Sequence, residues 1–390
     1  MEDRFGDLRK AIDQTDAELL RLINNRMELS CKVGRIKAKE GLRLFDPCRE
    51  EAILERLAKA NPGPIAEASL RSIYREIFSA SRLLQYNLQV AYLGPEWTYS
   101  HLAALSLFGH SARYLPSPVL EDVFDNLMKA KAHLAVVPIE NSLQGGVGHT
   151  LDLLYERDVN ILHECYLEIA HYLCGRSGPM EELNRLYGHP QAIEQCRKFI
   201  LENLRHVEFF ECSSSVQAAR LAAGDRSSAA VCNLHAAFQH GLQVLAERIE
   251  DHPENTTRFF VLGSQLNSPT GNDKTSILFA VPDHPGALHT ALEGFALFKV
   301  NMTRIESRPN PIRSWQYLFF ADLEGHFDDE SVGNALDYLK KQTTYLKILG
   351  SYPSKDPRHP IRLDREQMRS LAAQPPRLSH EVRLVNSHEA

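Results

Sequence analysis

LRKAIDQTDAELLRLINNRMELSCKVGRIKAKEG, residues 8–41, decides how the first part of the chain folds. Leu8, Ile12, Leu19, Leu22, Ile23, Leu29, Val33 and Ile36 recur at spacings of three and four, which places them on one stripe of a helix. The seam is about 28 residues long and therefore roughly 40 Å. Arg26 interrupts it, and Lys37 lies within about 20° of the same face at 100° per residue. Arg9 sits about 100° away from Arg26 on a straight helix and serves a different surface. A desolvated Arg or Lys costs several kcal/mol unless an anion meets it. Two cations in an apolar seam therefore point to an enclosed anionic ligand. The plainer reading, a helical dimerisation module with solvated charges, stands beside it.

Working outward, Asp46-Pro47-Cys48-Arg49-Glu50 reads as a helix start with Asp as N-cap and Pro in the first turn. A third helix, from Glu67 to about Leu88, places Ser81 and Gln85 at i, i+4 on one face. Residues 1–88 hold 16 Lys+Arg against 14 Asp+Glu, a balance of +2, inside a chain of net charge −6. Because the signs are interspersed, no basic surface argues for nucleic acid and no polybasic block for a membrane. MEDRFGDLRK has no apolar core of a signal peptide, and no run of about 18 apolar residues could span a bilayer. The expectation is a cytoplasmic protein. Seven cysteines are scattered without a CxxC pair, so neither a disulfide framework nor a metal site is expected.

After residue 88 the texture changes. Short apolar runs at Leu88–Leu93, Ala132–Ile139, Ala229–Cys232 and Phe259–Leu262, separated by helical stretches and Gly/Pro turns, predict an α/β domain over 89–267. A polar linker, Asn267 to Asn272, follows. Residues 273–352 then read strand, helix, strand, strand, helix, strand, including a strand over Trp315–Leu323, which is the order of an α+β ferredoxin-like sandwich. Residues 353–390 are rich in Pro, Arg and His and are expected to be a disordered tail.

The helical part resembles the all-α chorismate mutase of the bacterial bifunctional P-protein, on residues 8–41 with DPCREEAILERL and SASRLLQ. The family's substrate positions fall on Arg9, Arg26, Lys37, Asp46, Arg49, Glu50, Ser81 and Gln85, all of matching type. The resemblance implies that Arg9 and Arg26, with Arg49 beside them, neutralise two carboxylates. Lys37 and Gln85 donate to the ether oxygen, and Glu50 accepts from the ring hydroxyl. The reaction needs no nucleophile or metal; the site holds the reactive conformer and stabilises charge growing on the ether oxygen. In this family Arg9 reaches the partner's site, which implies an intertwined homodimer or a higher oligomer.

Within 89–267, AYLGPEWTYS and VVPIENSLQGGV are strands running into turns with hydroxyl and amide side chains. GHPQAIEQC carries Gln195 and Cys196, ECSSSVQAA carries Ser213–Ser215 before a helix, and ENTTRFFVLG carries Thr257 and Arg258. Each alone reads equally as a cap or a solvated charge. Together, and above all as VPIENS with TRF, they resemble prephenate dehydratase. That implies two α/β lobes of the periplasmic-binding-protein kind, with prephenate in the cleft between them. Thr257 would serve the departing hydroxyl, Asn141, Ser142 and Gln195 would bind substrate, and Arg258 would take a carboxylate. Glu140 is expected to orient, and Cys196 reads equally as a small buried residue. Trp97 stands where the family's GPxGT has glycine, which puts Thr98 and Ser100 in question.

Residues 273–352 resemble an ACT regulatory domain through PDHPGALHTALE and ESRP. Gly286, Ala287, Leu288, Glu306, Ser307 and Arg308 would bind phenylalanine between paired domains, with feedback inhibition as the outcome. The whole implies a cofactor-free, phenylalanine-regulated chorismate mutase/prephenate dehydratase. Two alternatives remain open: arogenate dehydratase activity, or a phenylalanine-sensing binding protein whose dehydratase site has lapsed.

Overall fold

The computed structural model describes residues 2–40, 45–176, 178–311 and 316–363. Trp315 and the expected tail from residue 364 lie outside the described residues. Contacts divide the chain into two units, residues 1–169 with 254–361, and a second built on Ala170–Pro253.

The chain starts with three helices, α1 (Glu2–Glu40), α2 (Pro47–Ala60) and α3 (Glu67–Gln85). The Asp46 carboxylate caps α2 by accepting from the Arg49 amide at 3.0 Å, with Pro47 in the first turn. Helix α3 stops at Gln85 because Tyr86 turns extended, at φ −165°, to feed the next strand. Helices α1 and α2 both pack on α3. One chain covers only part of the α1 seam, leaving Leu8, Ile12, Leu19, Leu29 and Ile36 between 51% and 64% exposed.

The first α/β lobe runs β1 (Gln89–Leu93), α4 (Tyr99–Phe108), β2 (Arg113–Ser117), α5 (Leu120–Met128), β3 (Leu134–Asn141), β4 (Gly145–Gly146), α6 (Gly148–Glu156) and β5 (Asn160–Glu168). Strands β2, β1 and β3 are parallel. Strand β3, LAVVPIEN, is buried along most of its length, as a strand covered on both faces must be. The second unit holds β6 (Tyr172–Gly175), β7 (Arg185–Gly188), α7 (Pro190–Gln195), α8 (Arg197–Asn203), β8 (Glu208–Glu211), α9 (Ser215–Ala222), β9 (Ser228–Cys232), α10 (Leu234–Gln239) and β10 (Gln243–Ala246). Its sheet has the order β10-β6-β9-β7-β8.

Strand β11 (Thr256–Gly263) then returns to the first sheet, antiparallel between β3 and β5, and completes the order β2-β1-β3-β11-β5. The last domain is β12 (Asp273–Ala280), α11 (Ala287–Leu297), β13 (Met302–Pro309), β14 (Tyr317–Glu324), α12 (Glu330–Gln342) and β15 (Tyr345–Pro353). The sheet order β13-β14-β12-β15 is the α+β sandwich that the strand and helix pattern predicts. One face packs Ile277, Phe279 and Leu323 against Phe295, Leu336 and Leu339 of the helices. The other face, through Leu278, Phe320, Leu349 and Tyr352, shares a core with Ile139, Leu154, Ile161 and Phe260 of the first lobe. The last domain is thus fused to the sheet that carries β11. The expectation of a disordered tail over 353–390 does not hold at its start: β15 includes Pro353, and residues 354–361 run on to β5, where Ile361 bridges Leu167, while Lys355 pairs with Glu51 of α2 at 2.8 Å.

Candidate active sites and regulatory turn

Helices α1, α2 and α3 bring one set of polar groups together. Arg26 donates to the Ser81 hydroxyl at 2.8 Å and lies 5.1 Å from the centre of the Phe78 ring. Burial lowers the Arg26 pKa, and the nearby Tyr74 and Glu50 oppose that. Glu50 is raised by burial, against the Arg82 guanidinium that pairs with it. Gln85 packs on Gly34, where a Cβ would come within 2.6 Å of its Cγ. Lys37 follows one helical turn later on α1 and is half-buried. Arg9 is exposed and lies under no part of this cluster; its guanidinium sits 5.0 Å from the Phe5 ring. It is separated from Lys37 by about 42 Å of helix at 1.5 Å per residue. Arg82 was not among the residues the sequence singles out, because an Arg after Ser81 on a polar helix carries no local signal.

A second cluster sits at the junction of β3 and β11, where the register sets Thr257 opposite Asn141. The Asn141 amide donates to Thr257 Oγ1 at 3.0 Å and to Asn255 Oδ1 at 2.8 Å, while its own Oδ1 accepts from the Leu143 amide. Ser142 is held by the backbone: its amide donates to Thr256 O at 2.9 Å and its hydroxyl accepts from Thr256 N at 3.0 Å. A hydroxyl has one proton, and here Thr257 accepts from Asn141, so that proton is left to point elsewhere.

Arg258 departs from its expected part. It is 3% exposed, donates to Glu164 at 2.8 Å, to Asp322 at 2.6 Å and to the Tyr352 hydroxyl at 3.1 Å. Protein carboxylates already surround it, so it is not open to a substrate carboxylate in this structure. Glu164 also holds Lys274 at 2.7 Å, and Asp322 also accepts from Ser276 at 2.5 Å. The Asp322 carboxyl is held below its usual range by Arg258 and Arg304 against the effect of burial. Glu164 was not singled out either, although a Glu inside the apolar run ILHECYLE is a legible signal.

Glu140 faces Arg304 at 3.2 Å and Arg258 at 3.7 Å. In the first turn of this lobe, Trp97 takes φ +69°, the left-handed conformation that favours glycine. An indole thus stands in a glycine-favouring conformation at the position where the resembling motif has glycine. Thr98 donates to Leu93 O and Pro95 O, both at 3.0 Å, which ties its hydroxyl into the turn, and Ser100 is buried at the start of α4.

Within the second unit, Gln195 ends α7 and its Oε1 meets His171 Nε2 at 2.8 Å. Cys196 is fully buried and its thiol is pushed well up by burial, so it acts as a small apolar residue. Ser214 caps α9 by accepting from Gln217 N, and Ser213 donates to the Gln217 side chain at 2.6 Å.

The regulatory residues divide. Gly286 caps α11 at φ +84°, with Ala287 buried behind it and Leu288 against the helix core. Ser307 pairs across Phe319 to Phe279, which puts it at the same end of the sheet as that turn. Strand β13 alternates, with Ser307 on its exposed face and Glu306 and Arg308 on the other. Arg308 donates to both oxygens of Asp152 at 3.2 and 3.0 Å, and a Cβ at Gly146 or Gly148 would run into Glu306 or Arg308. The ESRP motif therefore points two of its members at the first α/β lobe. Among the described residues, no helix is long and apolar enough to cross a membrane, and no His, Cys, Asp and Glu cluster could hold a metal.

Family models match the chain in three consecutive blocks. They are chorismate mutase type II over residues 8–86, prephenate dehydratase over 90–267 and the ACT domain over 275–340. Fold and sites together define a multidomain enzyme with a helical isomerase, an α/β lyase and a ligand-binding regulatory domain. A bifunctional chorismate mutase/prephenate dehydratase of Aquifex aeolicus is 43% identical over 90% of this chain and 98% of its own. One from Stutzerimonas stutzeri is 39% identical with the same coverage. A prephenate dehydratase from Arthrobacter aurescens, solved in complex with L-Phe, superposes at TM-score 0.63 with 34% identity, over 68% of this chain and 90% of that one. The chain belongs to the bifunctional chorismate mutase/prephenate dehydratase family.

Proposed function

We propose that this chain is a cytoplasmic enzyme that rearranges chorismate to prephenate on its helical domain and converts prephenate to phenylpyruvate on its α/β domain, under feedback inhibition by phenylalanine. In the first site Arg26, with Arg49 and a second copy's Arg9 position, neutralises the substrate carboxylates. Asp46 and Ser81 frame it, Glu50 accepts from the ring hydroxyl, and Lys37 and Gln85 donate to the ether oxygen as charge builds there. The uncovered α1 stripe supports a homodimer, and so does the distance of Arg9 from the rest of the cluster.

In the second site the Asn141–Thr257 hydrogen bond carries the reading. Asn141 occupies the Thr257 oxygen as acceptor, which turns the hydroxyl proton toward the departing ring hydroxyl of prephenate. That hydroxyl takes up a proton through Thr257, which regains one from solvent, and leaves as water as the C–O bond breaks; the carboxylate leaves as CO₂, and the electron pair of the broken C–C bond completes the aromatic ring. Ser142 and Gln195 are proposed to bind the anion. Phenylalanine is proposed to sit at the Gly286–Leu288 turn with Ser307, Glu306 and Arg308 completing or sensing the site. It inhibits only by binding the inactive arrangement more tightly.

The deciding experiment supplies chorismate alone and follows chorismate, prephenate and phenylpyruvate separately, with and without phenylalanine. Sequential appearance of both products, with the second suppressed by phenylalanine, is expected. Prephenate that accumulates without phenylpyruvate refutes the dehydratase assignment and favours the sensing alternative. A higher kcat/KM on arogenate than on prephenate reassigns the second substrate.

A further inference from the structure

Arg82 lies outside every substrate position described above, yet it is the charged group in closest touch with one of them. On α3 it is 4% exposed. Its Nη1 pairs with Glu50 Oε1, and its Nη2 donates to the carbonyl of Phe108 at 2.9 Å. The guanidinium lies against the contacting pair of rings Phe45 and Phe108, at 5.8 and 5.9 Å from their centres. It is therefore held from one side by the last residue of α4, in the α/β domain, and from the other it holds a carboxylate on α2. A planar fork fixed at one end by a buried carbonyl loses little freedom when it grips an anion at the other.

We propose that Arg82 is a positioning residue of the mutase site: it fixes the Glu50 carboxylate for the ring hydroxyl of chorismate, and it is itself anchored by the α/β domain to which the mutase is fused. The inference rests on the reading of Glu50 as that hydroxyl's acceptor. The other charged or titratable groups facing Glu50 are Asp46 from the head of α2, Arg26 from α1 and Tyr86 just beyond α3. Burial and Asp46 both favour the neutral acid, whereas Arg26 and Arg82 favour the anion; of the two cations only Arg82 is hydrogen-bonded to it. Without Arg82, Glu50 protonates at a higher pH, and a protonated carboxyl gives up the charge-assisted hydrogen bond from the substrate for a weaker neutral one.

The test uses full-length protein and measures kcat and KM for chorismate from pH 5 to 9, with prephenate turnover as the check on folding. For Arg82→Met the acid limb of kcat/KM is expected to move up by about one pH unit or more, a loss of about tenfold at a pH on that limb that recovers as pH rises. Arg82→Lys keeps the charge, so its limb should stay in place while kcat falls. In a Glu50→Gln background the Arg82→Met change should no longer move the limb. If Glu50→Gln alone leaves kcat/KM intact, the reading of Glu50 fails and takes the inference with it. A costly Glu50→Gln combined with an Arg82→Met profile lowered equally at every pH, or unchanged, overturns the inference alone. Should Arg82→Met lose prephenate turnover through misfolding, Arg82→Lys decides, because a shifted limb in that variant contradicts the charge argument.

Discussion

Replacing Gly34 by alanine should separate the stability of α1 from the chemistry of the mutase site. The new Cβ would lie 2.6 Å from Cγ of Gln85, 3.0 Å from its Cβ and 3.3 Å from its Cδ. Carbon atoms in contact sit about 3.5–4.0 Å apart, so roughly 1 Å must be found. Rotation about χ1 carries Cγ and Cδ away but leaves Cβ in place, so only a few tenths of an ångström are left to the backbone. Forcing α1 and α3 apart carries the cost of overpacking, about 1–3 kcal/mol. Swinging Gln85 into another staggered rotamer is cheaper, and alanine regains about 1 kcal/mol of helix propensity over glycine. The cheaper response wins: the fold holds and Gln85 leaves its place. A donor displaced by about 1 Å costs on the order of a hundredfold, similar to removing it. The expected outcome is a kcat/KM for chorismate down about a hundredfold, with the melting temperature and prephenate turnover near those of the parent. Gly6→Ala on the same helix, where nothing lies within 4 Å, should gain the propensity term and leave mutase activity alone. A Gly34→Ala protein with parental kcat/KM would show that Gln85 does not donate from this position.

Three further outcomes follow from the buried charges and the regulatory turn. Arg258→Met leaves Asp322 buried without its paired cation and Glu164 with Lys274 alone, a loss of about 3–5 kcal/mol that thermal or urea unfolding should reveal; an unchanged melting temperature with a raised KM for prephenate would return Arg258 to substrate binding. His163 is held neutral by burial, its pKa pulled from 6.5 to about 3 with Lys355 and Arg75 adding to the effect. The unfolded chain therefore takes up that proton first, so stability is whole above about pH 6.5 and falls as pH drops toward 3. Urea midpoints of His163→Leu should fall less than those of the parent between pH 7 and 5, and parallel slopes would dismiss His163 as the titrating group. Gly286→Val forces a β-branched residue to φ +84° at a point with no neighbour within 4 Å, so its effect is on backbone conformation and not on crowding. Phenylalanine sensitivity should disappear while prephenate turnover persists, and full inhibition in the variant would place the ligand elsewhere.

What the sequence makes legible is what is local. The α1 helix, the Asp46 cap and the strand and helix order over 273–352 rest on neighbours within a few positions, and the structure reproduces each. What it hides depends on partners far along the chain. Arg258 beside Thr257 looks like a pair of substrate contacts, but its carboxylate partners are 94 and 64 residues away, on β5 and β14. The ESRP residues show the same limit in another form. Their alternation is readable, and it puts Arg304, Glu306 and Arg308 on one face, but not that the first lobe covers that face.

A physical clue to the missing partners was nevertheless present. A strand buried from end to end cannot carry a charge without an opposite one. Lys274 is the second residue of β12, which is buried throughout, and Glu164 interrupts β5, so each requires a counter-charge. They meet each other at 2.7 Å. Because Glu164 also grips Arg258 in the strand that carries Thr257, the regulatory sheet and the dehydratase strand share one ionic network. The Arg258→Met outcome thus bears on both at once: the network that makes Arg258 unavailable to substrate also ties the strand that carries Thr257 to the sheet of the ACT domain.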